Sequence, residues 1–563
     1  MVKKYKLITK PCLVLLVCTL FFGLHANAQI ALLDEIKQTE LQRDKQLLYG
    51  DFLNQSFMLR STQDYKHNQE CIQKPVWKNI YWDALQATYN VQSNSVLPAG
   101  FNEGNMYPSI GGQHRVSVGT RFTWKNLELN LQPEWVTARN INPPVFLGNI
   151  EDGNFWARYY LHIQNNIDYY TQMGRKPLNT LFPGQSYLAY HFKQFSAGIS
   201  TENQWWGPGM RNSLMMTNEA PGFYHVFVKT NDPITTPIGS FEGKAILGRL
   251  ESPTMPPTED SLMRTIWADG IARKNRSVRH IEGFNISWQP KWLPNFFLGY
   301  SYITQSYILN RNLIGKNLGF FSNDRPKQQL GAITMRIVLP KDHAEIYAEL
   351  GQPNQAISPW RLFGDSVKTG FVAGAKKLFT LGSKGAYLKL YAEFTQLQLM
   401  NPALVIDMAS PFGGPMYTSW YTSPQVRQGY SHQGKMLGAS IGPGSNSQSL
   451  GLSWHKGNNK IGLFVERVAH NNDFYLYEYY GSAYFNRYYI DINKGIEAQI
   501  QLTKQILLAA SALQTNALNY KWVRQDPPNT PWTPTGWSEP SSISDKLNLL
   551  LNCSLKFNLY AGR

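Results

Sequence analysis

The chain has 563 residues, a formal charge of +16 and 13% aromatic residues. Its four cysteines and eleven histidines form no CxxC and no HExxH pattern, so the sequence encodes neither a disulfide framework nor a metal centre. Helical periodicity is almost absent from the middle of the chain, which argues against an ordinary soluble enzyme of this length.

Residues 1–28 read as an export signal. Lys3, Lys4, Lys6 and Lys10 precede an apolar run from Pro11 to Leu24, and Ala26-Asn27-Ala28 has the small-x-small form of a cleavage site. The run is short for a membrane anchor, so the mature chain is expected to begin at Gln29. Cys12 and Cys18 leave with the signal, and Cys71 and Cys553 could pair in an oxidising compartment. Without the four leader lysines the charge is about +12, which favours anionic partners such as acidic polysaccharide or lipid phosphates. Export argues against nucleic acid.

Residues 29–79 form an N-terminal segment that is helical in part. Good helix formers run from Leu33 to Tyr49, with Gly50 as the stop, and place a helix on the periplasmic side or inside a lumen. A flexible leader is the competing reading.

From residue 80 to residue 563 the pattern is period two. Val116, Val118, Phe122 and Trp124 alternate with Arg115, Ser117 and Arg121. After a Lys125-Asn126 turn, Leu127, Leu129 and Leu131 alternate with Glu128, Asn130 and Gln132. Aromatic clusters at 155–161 (FWARYYL) and 488–492 (YYIDI) suit interfacial girdles.

The stretch TENQWWGPGMRNS (201–213) places Trp205 and Trp206 against a turn. Pro208 followed by Gly209 suits a type II turn, with the positive φ at Gly209. On a strand the two tryptophans point to opposite faces, so one is expected to anchor in the lipid interface and the other to face inward. Arg211, Asn212, Asn218 and Glu219 follow closely. Flat aromatic faces with guanidinium and amide groups suit a sugar ring and its carboxylate, so Trp205, Trp206, Arg211, Asn212 and Asn218 are candidate ligand contacts. The segment also suits a plug or gate. Arg249 and Glu251 share a strand face, and are added as candidate contacts or lumen lining.

Further on, Ala344, Ile346, Ala348 and Leu350 lie opposite His343, Glu345, Tyr347 and Glu349. Ala386, Leu388, Leu390, Ala392 and Phe394 lie opposite Lys389, Glu393 and Thr395. Glu345, Glu349 and Glu393 could be taken for glycosidase carboxylates. Positions i and i+4 of one strand stand roughly 13 Å apart, too wide for that chemistry. Pairing with Arg or Lys across a lumen is expected instead. Ser431-His432 is no nucleophile–base pair, because neighbours on a strand point apart. No catalytic residue or cofactor is assigned. Residues 525–542, rich in Pro and Trp, read as an external loop.

The last strand alternates longest. Leu547, Leu549, Leu551, Cys553, Leu555, Phe557 and Leu559 share one face, with Asn548, Asn552, Ser554, Lys556 and Asn558 on the other and Leu550 as the exception. Together with the export signal and a length suited to about 16–20 strands, this predicts an all-β transmembrane barrel of the outer membrane, surrounded by its lipid.

Several pieces resemble the Wzi capsule-assembly family, in a form like that of Bacteroidetes-type bacteria. They are LELNLQPEW (127–135), STENQWWGPGMRNSLMMTNEAPGF (200–223), GKAILGRLESP (243–253), LPKDHAEIYAELG (339–351) and GYSHQGKMLGASIGPGSNS (429–447). The resemblance implies a barrel of about eighteen strands with a periplasmic helical element. It also implies a lectin-like, non-catalytic role in binding capsular or other surface polysaccharide. A porin-like channel or transporter for oligosaccharides is the alternative.

Overall fold

The computed structural model describes residues 35–49, 56–59, 75–77, 80–142, 163–257, 274–275, 278–308, 327–353, 368–382, 385–399, 406–407, 416–417, 419–479, 488–522 and 545–557. Within them one antiparallel sheet runs round the molecule and meets itself. Its first four strands are each broken once: Ile80–Ala84 with Ala87–Ala99, Ser109–Ser117 with Thr120–Trp124, Leu127–Leu131 with Glu134–Ala138, and Leu178–Phe182 with Tyr187–Phe192. Fourteen strands follow, from Phe195–Ser200 to Lys546–Phe557, each hydrogen-bonded to the next and unbroken except for His225–Thr230, which resumes as Ile234–Thr236 on the same partner. The last strand pairs with the first, Cys553 opposite Val91 and Phe557 opposite Ala87. The described residues thus close an eighteen-stranded barrel, as expected. Closure leaves no sheet end to be satisfied in hydrocarbon.

Period-two patterning becomes an outside and an inside. On Lys546–Phe557 the odd-numbered leucines through Leu551, and Cys553, are exposed, whereas Asn548, Ser554 and Lys556 are buried. Leu550, the one apolar residue out of phase, is buried on the inner side. Cys71 lies outside the described residues, and so do 155–161 and 525–542.

Connections at one end are short, such as Lys125-Asn126 and Lys193-Gln194, while those at the other end are long. The short-turn end carries an aromatic girdle of Trp124, Phe192, Phe195, Trp292 and Phe379. Lys125, Lys193 and Lys377 each set an ammonium over one of these rings, at 5.4, 5.4 and 5.9 Å. Tyr488 is exposed, but its neighbour Tyr489 turns inward and packs on Trp522, so only half of that expected girdle pair faces out. Among the described residues no helix is long and apolar enough to cross a membrane; the strands cross it.

The barrel interior is filled. Near the short-turn end helix Glu35–Tyr49 lies in the lumen with Leu47 in a cluster with Phe57, Met58, Phe297, Val338, Leu378 and Tyr387. Its buried Asp44 meets Lys389 at 2.9 Å and Lys376 at 3.2 Å, and His343 Nδ1 lies 2.6 Å from the Leu47 carbonyl oxygen. A larger apolar cluster above it joins Trp206, Leu214, Met215 and Met216 to Trp420, Tyr421 and Tyr430. Leu463 stands outside at mid-strand, 58% exposed. Leu463→Arg is expected to cost about 2–4 kcal/mol of folding free energy in lipid vesicles, measured by denaturant titration of the heat-modifiable band.

Candidate functional site

Strand Phe195–Ser200 stops at Ser200, and the chain then leaves the wall and enters the lumen. Alternation ends there, which overturns the expected split of the two tryptophans. Both are inside, Trp205 3% and Trp206 1% exposed. The turn also differs from expectation. The positive φ, +144°, belongs to Gly207, where a Cβ would strike Glu349 Oε1 and Ser213 Oγ. Gly209 takes no positive φ and is needed for another reason: a Cβ there would run into the Asn212 carbonyl oxygen.

Two wall carboxylates hold this corner. Glu349 accepts from Gly209 N at 3.1 Å, Ser213 Oγ at 3.0 Å and Leu214 N at 2.8 Å. Glu393 accepts from the amides of Met210 (2.6 Å), Arg211 (3.0 Å) and Asn212 (2.8 Å), and from the Tyr347 hydroxyl at 2.7 Å. Of the three glutamates read as cation-paired, only Glu345 meets that expectation, with Arg336 at 2.8 Å and Lys376 at 3.4 Å. A carboxylate supplied with several N–H and O–H donors can be buried without a counter-cation.

Arg211 donates to Glu466 through Nε (3.3 Å) and Nη2 (2.9 Å), and its guanidinium lies 3.8 Å from the Phe101 ring centroid. Asn212 Oδ1 accepts from Ser440 Oγ at 3.2 Å. Asn218 Nδ2 donates to the Asn102 carbonyl oxygen at 3.0 Å, and its Oδ1 accepts from Asn203. The structure therefore gathers Trp205, Trp206, Arg211, Asn212 and Asn218 within one lumen segment. Arg249 and Glu251 are not brought to them. They form an ion pair at 3.2 Å, 55% and 35% exposed, with Arg249 on the outward face of its strand. The lumen-lining reading of that pair is corrected by parity: Lys244, Ile246 and Leu250 take the inward positions.

Above the corner, at the long-loop end, is a cavity of about 190 Å³. Arg211, Glu219 and Lys435 lie at its base, with Tyr169, Tyr170, Tyr489, Tyr520 and Lys521 around it. Tyr489 stacks on His470 at 4.2 Å and meets Trp522 edge-on at 5.5 Å, while His470 Nε2 lies 2.8 Å from Asp491 Oδ2. Asn519, Lys521 and Trp522 have φ of 50°, 58° and 53°. Non-glycine residues in this region are uncommon, and a run of them holds Lys521 in place at the cost of local strain. The sequence reading missed these aromatics. NYKW (519–522) and YYIDI (488–492) carry the signal, but strand-end aromatics read equally as girdle. Among the described residues no group of three or more His, Cys, Asp or Glu could hold a metal ion.

Two carboxyls in the covering loops are pushed up to about 7 by burial: Glu103, which accepts from Gln92 at 2.9 Å, and Asp473, which accepts from Leu399 N at 2.9 Å and from Ser419.

A family model described as capsule assembly protein Wzi matches residues 147–510. The outer-membrane protein Wzi of Escherichia coli, described as a carbohydrate-binding β-barrel involved in group 1 capsule assembly, is similar in fold. It has 10% identity and a TM-score of 0.56, over 95% of this chain and 100% of that one. OccAB1 of Acinetobacter baumannii (8% identity, TM-score 0.39, 86% and 98% covered) and OprB of Pseudomonas putida at high pH (12%, 0.35, 84% and 94%) are more distant. No curated protein matches the sequence.

Glu393→Ala strands three buried amides, each worth about 1–3 kcal/mol when unpaired. The expected outcome is a lower unfolding midpoint and faster hydrogen exchange across residues 205–214, with Ser511→Ala, at an exposed position of strand Ile506–Leu518, as an unaffected control. For Glu103 and Asp473 the folded pKa lies above the ordinary value, so their contribution to stability is present below about pH 4 and lost as pH rises through about 7. Limited proteolysis of the loops around residues 103 and 473 is expected to be faster at pH 8 than at pH 5.5.

Proposed function

The chain belongs to the Wzi capsule-assembly family, and on that premise we propose that it binds surface polysaccharide at its external mouth and retains it there as capsule, without catalysis. Its place is the outer membrane. The observation that carries the reading is the mouth cavity standing directly on a filled lumen. Tyr169, Tyr489 and Tyr520 offer faces to the C–H side of a sugar ring, and Lys521 offers an ammonium group to a carboxylate, whereas Lys435 is held by the Gly104 and Met106 carbonyl oxygens and by Glu219. The positive charge of the whole chain supports an acidic polymer and would draw it in over a Debye length.

In this reading Arg211 is a positioning residue. It is stacked on Phe101 and bonded to Glu466, and so shapes the base of the cavity. Asn212 and Asn218 act likewise through Ser440 and Asn102. Trp205 and Trp206 lie beneath, with Trp206 N donating to the Met216 carbonyl oxygen at 3.1 Å, and support the floor without touching sugar. The channel alternative finds less support, because helix Glu35–Tyr49 and residues 201–223 both occupy the lumen.

Deleting the gene is expected to lower cell-retained capsule while polymer released to the medium rises; unchanged retention overturns the assembly role. Large, open conductance steps in a planar bilayer would favour the channel instead. Tyr489→Ala is expected to weaken binding of an acidic oligosaccharide by about fivefold, roughly 1 kcal/mol, in calorimetry. Lys521→Ala is expected to flatten its salt dependence.

A further inference from the structure

The barrel wall is not equally tall all the way round. Strands Phe195–Ser200 and His225–Thr230 pair over six residues, while their neighbours continue toward the loop end. Above Tyr187, strand Leu178–Phe182 is paired with Glu134–Ala138 on one edge. No strand among the described residues pairs with its other edge. The two sides of this notch meet again where Gly174 N donates to the Pro256 carbonyl oxygen at 2.9 Å and Met173 bridges Pro257. The breaks in the first four strands fall beside it, and Pro183 and Gly184 form one of them.

A cavity of about 560 Å³ opens from the notch on the outer face. Leu129, Leu188, Ile199, Val226, Leu247 and Ile308 make its lining apolar. Ile199 and Val226 are exposed members of the lipid-facing belt, so the groove continues the surface that meets hydrocarbon. Behind it the lumen segment closes the gap: a Cβ on Gly248 would come within 2.8 Å of the Phe223 ring. At the rim toward the external side stands Arg249, 55% exposed beside Glu251.

We infer that this groove seats an acyl chain of a phosphorylated glycolipid of the external leaflet, whose headgroup engages Arg249. The polar side chains that reach the cavity, such as His280 and Glu282, contribute little of its surface, so water finds few partners along the lining, and an empty groove would forfeit the dispersion contacts of its walls. The surrounding solvent is hydrocarbon, so hydrocarbon fills it. The volume falls within the range of small-molecule sites, which makes this a seat and not a ripple in the wall. Arg249 gives a phosphate the donor fork that it prefers, and one carboxylate at 3.2 Å occupies part of the five-donor set. The inference is independent of the polysaccharide reading.

The test uses the full-length protein in nanodiscs of phosphatidylethanolamine with lipid A, followed by native mass spectrometry after partial delipidation. Val226→Trp fills the groove from the outward face, and Leu463→Trp puts the same residue on a different part of the outer surface. Wild type and Leu463→Trp are expected to retain one lipid A more than Val226→Trp. Arg249→Gln is expected to shift retention from lipid A toward phosphatidylethanolamine by about fivefold. Heat-modifiable electrophoretic mobility reports folding, and Ile199→Phe serves where Val226→Trp does not fold. Equal retention by a folded groove-filled variant and wild type overturns the inference. So does a wild-type dimer that Val226→Trp abolishes, which would make a second copy the occupant.

Discussion

The interior of this barrel depends on how backbone amides are satisfied once a chain leaves the wall. Around the wall the strand amides are satisfied by neighbouring strands, apart from the free edge of Leu178–Phe182, but residues 207–214 belong to no such ladder. In a space closed off by lipid on all sides, an unpaired N–H is costly. Glu349 and Glu393, two strands apart, supply the acceptors and take five of these amides between them. The arrangement works in both directions, because each carboxylate would be equally costly without its donors. The corner is therefore fixed to particular heights on particular strands, and its glycines follow from how closely backbone and carboxylate approach.

From that corner the rest of the filling is placed. Gly207 N donates to the Met58 carbonyl oxygen at 3.3 Å, joining residues 56–59 to the corner from below. Thr217 N donates to Leu437 O at 2.8 Å, and Tyr421 and Tyr430 donate to Leu214 O and Met215 O, tying in the external loops from above. The result is a core of the kind found in soluble proteins, enclosed by a wall whose apolar side faces lipid. Polar wall residues therefore face an apolar filling at several levels, and they do so by spending their hydrogen bonds on its backbone.

The wall was legible in the sequence because lipid outside and a lumen inside impose period two on every strand. Even the exception at Leu550 has a place on the inner side, where it is buried and lines the mouth cavity. The outward direction of Arg249 could also have been read, by counting parity from Lys244 along GKAILGRLESP. The filling was not legible. Glu393 lies 181 to 183 residues from the amides it binds, and no local spacing records such a pairing. The tryptophans misled for a related reason. Alternation was carried past Ser200, where the strand has already ended and its period no longer assigns faces.

The same carboxylate chemistry appears at a second level with a different partner. Near the short-turn end Glu345, Glu40 and Asp44 meet Arg336, Lys376 and Lys389, so charge pairing there holds helix Glu35–Tyr49. Side-chain ion pairs tolerate more displacement than amides bound within a fixed corner, since each cation sits on a flexible stem. The lower filling is thus held by the looser kind of bond and the upper filling by the tighter kind. A polymer engaging the mouth would rest on the tightly held layer, whose floor is anchored to wall strands at Glu349, Glu393 and Glu466. That division suits a rigid external mouth more than a path through the membrane.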